Sequence, residues 1–146
     1  MSKRAIEFFI VNCFIAINKI KRYTYEFNNS QEFLYDEKSF DATMRELEIL
    51  GEATKHLIKN QILDKEFQIV VDFRNIISHE YFGIDADEVW EVVTIHILDF
   101  EKELYNIINN FNQNILLDVL NSALKDHKYS KDTSNYIKKL QKDILK

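Results

Sequence analysis

Proline would interrupt any long helix, because it removes a backbone donor and clashes with the preceding turn. This chain has none in 146 residues, and it has only two glycines, Gly51 and Gly83. Strand chemistry is thin as well. There is no Asn-Gly or Asp-Gly turn and no sustained alternation of apolar and polar residues. Apolar residues recur instead at steps of three and four, the spacing that lines one face of a helix. The pattern predicts an all-α chain.

A first helix is expected over residues 3–22, with Ile6, Phe9, Ile10, Cys13, Phe14, Ile17 and Ile20 on one face. Residues 23–38 read as a connection, in which Ser30 could cap a short helical piece through Tyr35. A second helix should start near Ser39 or Asp41 and run to about Asn60. Gly51 falls inside it, where glycine costs about 1 kcal/mol against alanine. A glycine there points to the close approach of another backbone.

A third helix is expected from Lys65 to Tyr81. Its apolar residues wrap most of the way round, so it should be the central one. Gly83 is placed to end it in the left-handed conformation. Asp85 and Glu88 then form an acidic variant of a capping box. The short turn makes the third and fourth helices antiparallel neighbours. The fourth, from Ala86 to about Asn109, carries the seam Trp90, Val93, Ile97, Phe100, Leu104, Ile107 and Phe111. Such a seam suits a helical bundle or a dimer interface. A further amphipathic piece covers residues 115–125, and Ser134 should cap a last short helix.

The composition, 46% hydrophobic and 29% charged, is that of a globular chain. The net charge of −5 is unevenly spread: residues 125–146 hold seven Lys and three Asp, a net of +4, which leaves −9 on the first 124. An acidic body argues against a broad phosphate-binding face. Cys13, the single cysteine, sits in an apolar run and reads as a buried small hydrophobe; no Cys/His cluster has zinc spacing. No apolar run reaches a membrane span. Polar residues interrupt the N-terminal apolar stretch, which argues against a signal peptide and for the cytoplasm.

Residues 71–90 concentrate the chemistry. His79-Glu80 cannot belong to a zinc protease motif, because Gly83 stands where the second His would be. A Ser78–His79 nucleophile pair fails because neighbours on a helix point about 100° apart. What remains is Arg74, Asn75, His79 and Tyr81. Histidine moves protons near neutral pH. Arginine matches phosphate oxygens with a permanent charge. Together they suit cleavage of a phosphodiester, and on RNA the 2′-hydroxyl supplies the nucleophile. Arg74 and Tyr81 share a helical face, but Arg74 and His79 lie about 140° apart. A loosened helix end could unite them, or a two-fold dimer could bring two copies of the motif into one cleft. An Arg–His pair on a helix also has a purely structural reading. His56, His96 and His127 lack such company and read as surface or helix-flank residues.

Residues 74–85, Arg-Asn-Ile-Ile-Ser-His-Glu-Tyr-Phe-Gly-Ile-Asp, with Val89-Trp90 following, resemble the signature of the HepT-like branch of the HEPN superfamily. That signature is Arg, four residues, His, one residue, Tyr. Upstream, Arg45-Glu46-Leu47-Glu48-Ile49-Leu50-Gly51-Glu52-Ala53-Thr54-Lys55 resembles a second family helix, and Tyr23-Thr24 with Phe33-Leu34 resembles its linker. The resemblance spans about residues 5–110. It implies a homodimeric antiparallel bundle of four to five main helices over residues 1–112, with residues 113–146 as a C-terminal helical extension to which nothing transfers.

By the same resemblance the chain is a metal-independent ribonuclease without a cofactor, the toxin of a prokaryotic type VII toxin–antitoxin pair. Its partner would be a minimal nucleotidyltransferase antitoxin, acting on the homodimer or in a larger assembly with it. Arg74 and His79 would be catalytic, Asn75 would support them, and Tyr81 would accept AMP from the antitoxin. Glu52 is a further candidate, with a structural role as its alternative. An AMP group on Tyr81 would set bulk and negative charge beside Arg74 and repel an RNA phosphate. Two other readings stay open: a non-catalytic regulatory subunit that binds a nucleotide or the nucleotidyltransferase, and a purely structural helical dimer.

Overall fold

The computed structural model describes residues 5–80 and 83–145, with only the backbone at 78–80. All regular structure among the described residues is helical. The elements are α1 (Ile6–Thr24), α2 (Ser30–Tyr35), α3 (Glu37–Lys59), α4 (Gln68–Glu80), α5 (Ala86–Glu91), α6 (Ile97–Ile107), α7 (Gln113–Asp126) and α8 (Lys131–Leu145). A 3-10 turn, Lys65–Phe67, leads into α4, a π-helical turn, Val92–His96, joins α5 to α6, and a second 3-10 turn, Ile108–Asn110, follows α6.

Helix starts follow their caps. The Asn29 side chain accepts from the Glu32 N–H at 2.9 Å, Asp36 from Ser39 at 3.1 Å, Asp85 from Asp87 at 2.8 Å and Asn112 from Ile115 at 3.0 Å. The expected cap at Ser30 is thus Asn29, and α3 begins earlier than expected because Asp36 caps it. Ser30 instead hydrogen-bonds the Asp87 carboxylate and ties α2 to α5. The last helix is not short. The Ser134 N–H already bonds the Ser130 carbonyl at 2.9 Å, so Ser134 lies inside α8 and its hydroxyl donates to the His127 carbonyl at 2.7 Å.

α1 takes the central place that the pattern of α4 led one to expect there. Ile10, Cys13, Phe14 and Ile17 on its predicted face are fully buried, but so are Val11, Ile15 and Ala16 on its other sides. α4 keeps Ile69 and Ile76 exposed, at 45% and 37%. The reason lies far away in sequence: α7 and α8 return to cover the second face of α1. The Asn112 N–H bonds the buried Glu7 carboxylate, and Arg22 donates to the Thr133 hydroxyl at 2.9 Å.

α3 runs antiparallel to α1. The pairs progress from Phe9 with His56, through Cys13 with Thr54, to Lys19 with Glu46. Burial pushes the Glu46 carboxyl above its ordinary range, with Lys19 pulling the other way. The Cys13 thiol, fully buried beside Thr54, is pushed up to about 12, so it stays protonated and packs as a hydrophobe. α6 also runs antiparallel to α1, through Phe14 with Tyr105 and Lys21 with Glu101. Its seam residues Ile97, Phe100 and Leu104 are buried within the chain itself, so that seam faces no second copy.

α3 ends in a Schellman turn: the Ile62 N–H bonds the Leu57 carbonyl and the Gln61 N–H bonds that of Ile58, both at 2.9 Å. Gln61 occupies the left-handed position, with φ 61°, and it is the sole non-glycine with positive φ among the described residues. Neither glycine there has positive φ, so Gly83 does not supply the left-handed stop expected of it. A Cβ at Gly83 would meet nothing within 4 Å.

Candidate functional site

Gly51 decides where Arg74 stands. A Cβ built on Gly51 would lie 2.2 Å from the Arg74 Cβ, 2.8 Å from its Cγ and 3.2 Å from the Val70 carbonyl oxygen. Real atoms cannot approach so closely, so α3 and α4 meet at this point only because residue 51 is glycine. The close approach read from the sequence is present, and its partner is the stem of the candidate catalytic arginine.

The guanidinium is then held at its far end. Arg74 Nη1 donates to Asn75 Oδ1 at 2.9 Å, and Nη2 lies 3.4 Å from Glu52 Oε2. The other oxygen of Glu52 lies 3.5 Å from His56 Nε2, and the His56 ring stacks on Phe9 with centroids 4.2 Å apart. Glu52 therefore bridges Arg74 and His56. His56, read from the sequence as a surface or helix-flank residue without company, has partners four residues away on its own helix and across on α1. Asn75 and Glu52 thus both contact the guanidinium directly.

Arg74 opens into a cleft of about 280 Å³ between α1, α3 and α4. Arg45, Glu48 and Glu52 line it from α3, and Phe9 and Asn12 line it from α1. Arg45, Glu48, Ile49 and Glu52 fall on one stripe of α3, at i, i+3, i+4 and i+7. The cleft carries two arginines against two glutamates, so it offers local points of charge and not a uniformly basic surface.

α4 is regular through Glu80. The backbone therefore carries positions 74 and 79 about 140° apart around the axis, and the helix does not loosen before Glu80. The imidazole of His79 and the whole of Tyr81 lie outside the described residues. Asn75 is exposed and Arg74 is half-buried.

A family profile described as "Ribonuclease HepT-like" matches residues 15–107. The chain belongs to the HepT-like ribonuclease family. Relatives agree with this. A Methanocaldococcus jannaschii protein with a provisional RNase name is 32% identical over 108 residues, covering 71% of this chain and 97% of its own. A second RNase-named protein of that organism is 30% identical over 117 residues, covering 77% and 99%. A Thermococcus cleftensis protein named as a HepT ribonuclease is 31% identical over 94 residues, covering 62% and 84%. No solved structure matches the chain. The family match contains Arg45, Glu52, Arg74, His79 and Tyr81 and stops before α7 and α8. Among the described residues no helix is long and apolar enough to cross a membrane.

Proposed function

We propose that this HepT-like chain is the toxin of a type VII toxin–antitoxin pair, a metal-independent endoribonuclease of the cytoplasm. Arg74 and His79 form its catalytic centre, Asn75 supports it and Tyr81 is the AMP acceptor. The observation that carries the reading is the fixed guanidinium of Arg74. Its stem is seated on Gly51, and its head lies between Glu52 and Asn75 in the lining of a cleft. A charge held in place before substrate arrives needs no reorganisation when negative charge grows on a phosphate.

In this reading His79 takes the proton of an RNA 2′-hydroxyl, whose oxygen attacks the adjacent phosphorus. The P–O5′ bond breaks, the leaving oxygen gains a proton, and Arg74 stabilises the charge on phosphorus. The working unit is a homodimer of antiparallel helical bundles over residues 1–112, each with residues 113–146 as an extension. The 140° offset within α4 supports this, since one protomer's Arg74 can meet the partner's His79. So do Ile69 and Ile76, apolar and exposed, seven residues apart on α4.

The test is cleavage of single-stranded RNA by purified protein in EDTA. Arg74→Ala should lower the rate by about 10²- to 10³-fold, and His79→Ala should abolish cleavage. Full activity in His79→Ala would overturn the assignment. With ATP and the nucleotidyltransferase, the intact mass should rise by whole AMP units, and Tyr81→Phe should prevent the rise. The pairing of Arg74 with Glu52 favours one second reading, a non-catalytic regulatory subunit, in which that arginine is structural. Intact RNA together with a stable complex with the nucleotidyltransferase would select it.

A further inference from the structure

The cleft beside Arg74 holds more polar chemistry than the placement of one guanidinium requires. Glu52 is occupied by Arg74 and His56. The half-buried Glu48 carboxylate and Asn12 amide are different: neither makes a hydrogen bond or ion pair with any described residue, and nor does the Arg45 guanidinium. All three line the same concavity. Arg45 is exposed, but Glu48 and Asn12 are partly desolvated polar groups without protein partners beside apolar walls, which describes a site that a ligand completes. At about 280 Å³ the cleft is at the small end of ligand sites, enough for one base with its sugar.

The charges say which part of a nucleotide enters. Glu52 is already paired with Arg74, but the half-buried Glu48 carboxylate is not compensated; it repels a phosphate and accepts from donors, while Arg74 attracts a phosphate. The base therefore faces Glu48. Phe9, one face of which is covered by His56, and Ile49 provide flat and apolar walls. Bases extruded from single strands are commonly held by stacking and read on their edges. A carboxylate accepts two bonds, and guanine alone offers two adjacent donors, N1–H and N2–H. An arginine gives two donors to O6 and N7 of the same base.

We propose that this cleft is a guanine-reading subsite, with Glu48 accepting from N1–H and N2–H, Arg45 donating to the O6/N7 edge, and the adjoining phosphate on Arg74. Adenine and cytosine present one amino donor beside an acceptor, which Glu48 opposes. Uracil presents a single donor between two carbonyls. Asn12 fits either edge of the base and adds affinity without choosing it. The proposal rests on the ribonuclease reading for its consequence in cleavage, but base binding itself does not.

Two measurements on the full chain separate the two. In the first, short single-stranded RNAs differing at one position beside the cleaved bond are compared by kcat/KM. Guanine should be preferred over adenine by about tenfold or more. Glu48→Gln, which keeps the shape and loses one acceptor, should bring that ratio towards one with an unchanged thermal melt. Equal rates for all four bases, or a preference that survives Glu48→Gln, would overturn the subsite while leaving the ribonuclease reading in place. In the second, GMP and AMP are titrated by calorimetry without RNA. Selective binding of GMP, lost in Glu48→Gln, supports the subsite even if no RNA is cut, and equal binding of both counts against it.

Discussion

α3 and α4 pack along an extensive interface whose tightest point is Gly51, whereas α7 and α8 rest on α1 through apolar side chains fastened by polar ties. At the first contact a single missing Cβ sets the position of a charge: Gly51 admits the Arg74 stem. At the second, Leu116, Leu120, Ile137, Leu140 and Ile144 join the common core, and Arg22 and Glu7 reach the incoming chain. Apolar burial is nearly non-directional, so the second contact tolerates small adjustments. The first does not, because a guanidinium works only within a fraction of an ångström of its target. The difference separates a contact that places chemistry from a contact that supplies stability.

The sharpest way to break this contrast is Gly51→Ala. The added methyl falls 2.2 Å from the Arg74 Cβ, so α4 must move away by an ångström or more. Overpacking costs about 1–3 kcal/mol, while alanine returns about 1 kcal/mol of helix propensity. Stability should fall only modestly. A misplacement of that size at a reacting group can cost about 10²-fold in rate. RNA cleavage is therefore expected to drop about 10²-fold while the melt shifts little. An unchanged rate would show that Arg74 finds its place without the glycine.

Leu140→Ala makes the opposite change at the other contact. Leu140 is buried in α8, and removal of a buried leucine side chain costs about 2–5 kcal/mol. Denaturant melts should report that loss, with cleavage per folded molecule unchanged. A parallel loss of cleavage would mean that the hairpin of α7 and α8 reaches the site. Arg22→Met is a gentler version. It removes the bond to Thr133 and the 3.7 Å pairing with Asp132, and it should cost about 1–2 kcal/mol. Most of that comes from the half-buried Thr133 bond, since Asp132 is exposed and its ion pair is weak.

The same contrast explains what the sequence could and could not reveal. Periodicity located the long helices, because a 3.6-residue repeat is a local property. Gly51 could be read as a close approach for a similar reason: glycine inside a strong helix is locally unfavourable, and something must require it. The centrality of α1 was hidden, because what covers its second face arrives about a hundred residues later and leaves no local mark. The π-helical turn at Val92–His96 was hidden too, since the seam from Val93 to Leu104 keeps its apolar spacing through it. At the site, Arg74, Asn75 and Glu52 were legible as a motif, and the structure brings these three together. His56, Asn12, Arg45 and Glu48 were not, because the stack of His56 on Phe9 and the cleft the other three line form only when α1, α3 and α4 are packed together. The His79 imidazole lies outside the described residues; the regular backbone of α4 places positions 74 and 79 about 140° apart around its axis.

The smallest expected effect gives the cleanest control. Gln61 lies in the turn between α3 and α4 with φ 61°, a conformation that costs a residue bearing a Cβ about 1–2 kcal/mol. Glycine removes that cost but adds disorder to the unfolded chain, worth about 0.5–1 kcal/mol in the other direction. Gln61→Gly should therefore stabilise the protein by a few tenths to about 1 kcal/mol, a rise in Tm of at most about 2–4 °C for a chain of this size. The Schellman bonds to Leu57 and Ile58 use backbone atoms alone and should survive. Cleavage should not change, because the contact of Gly51 with Arg74 is untouched. If Gln61→Gly altered the rate as Gly51→Ala does, the turn and not the missing Cβ would set the position of α4. If the melt rose and the rate held, stability and placement would be independent properties of the same helix pair, adjustable at residues ten positions apart.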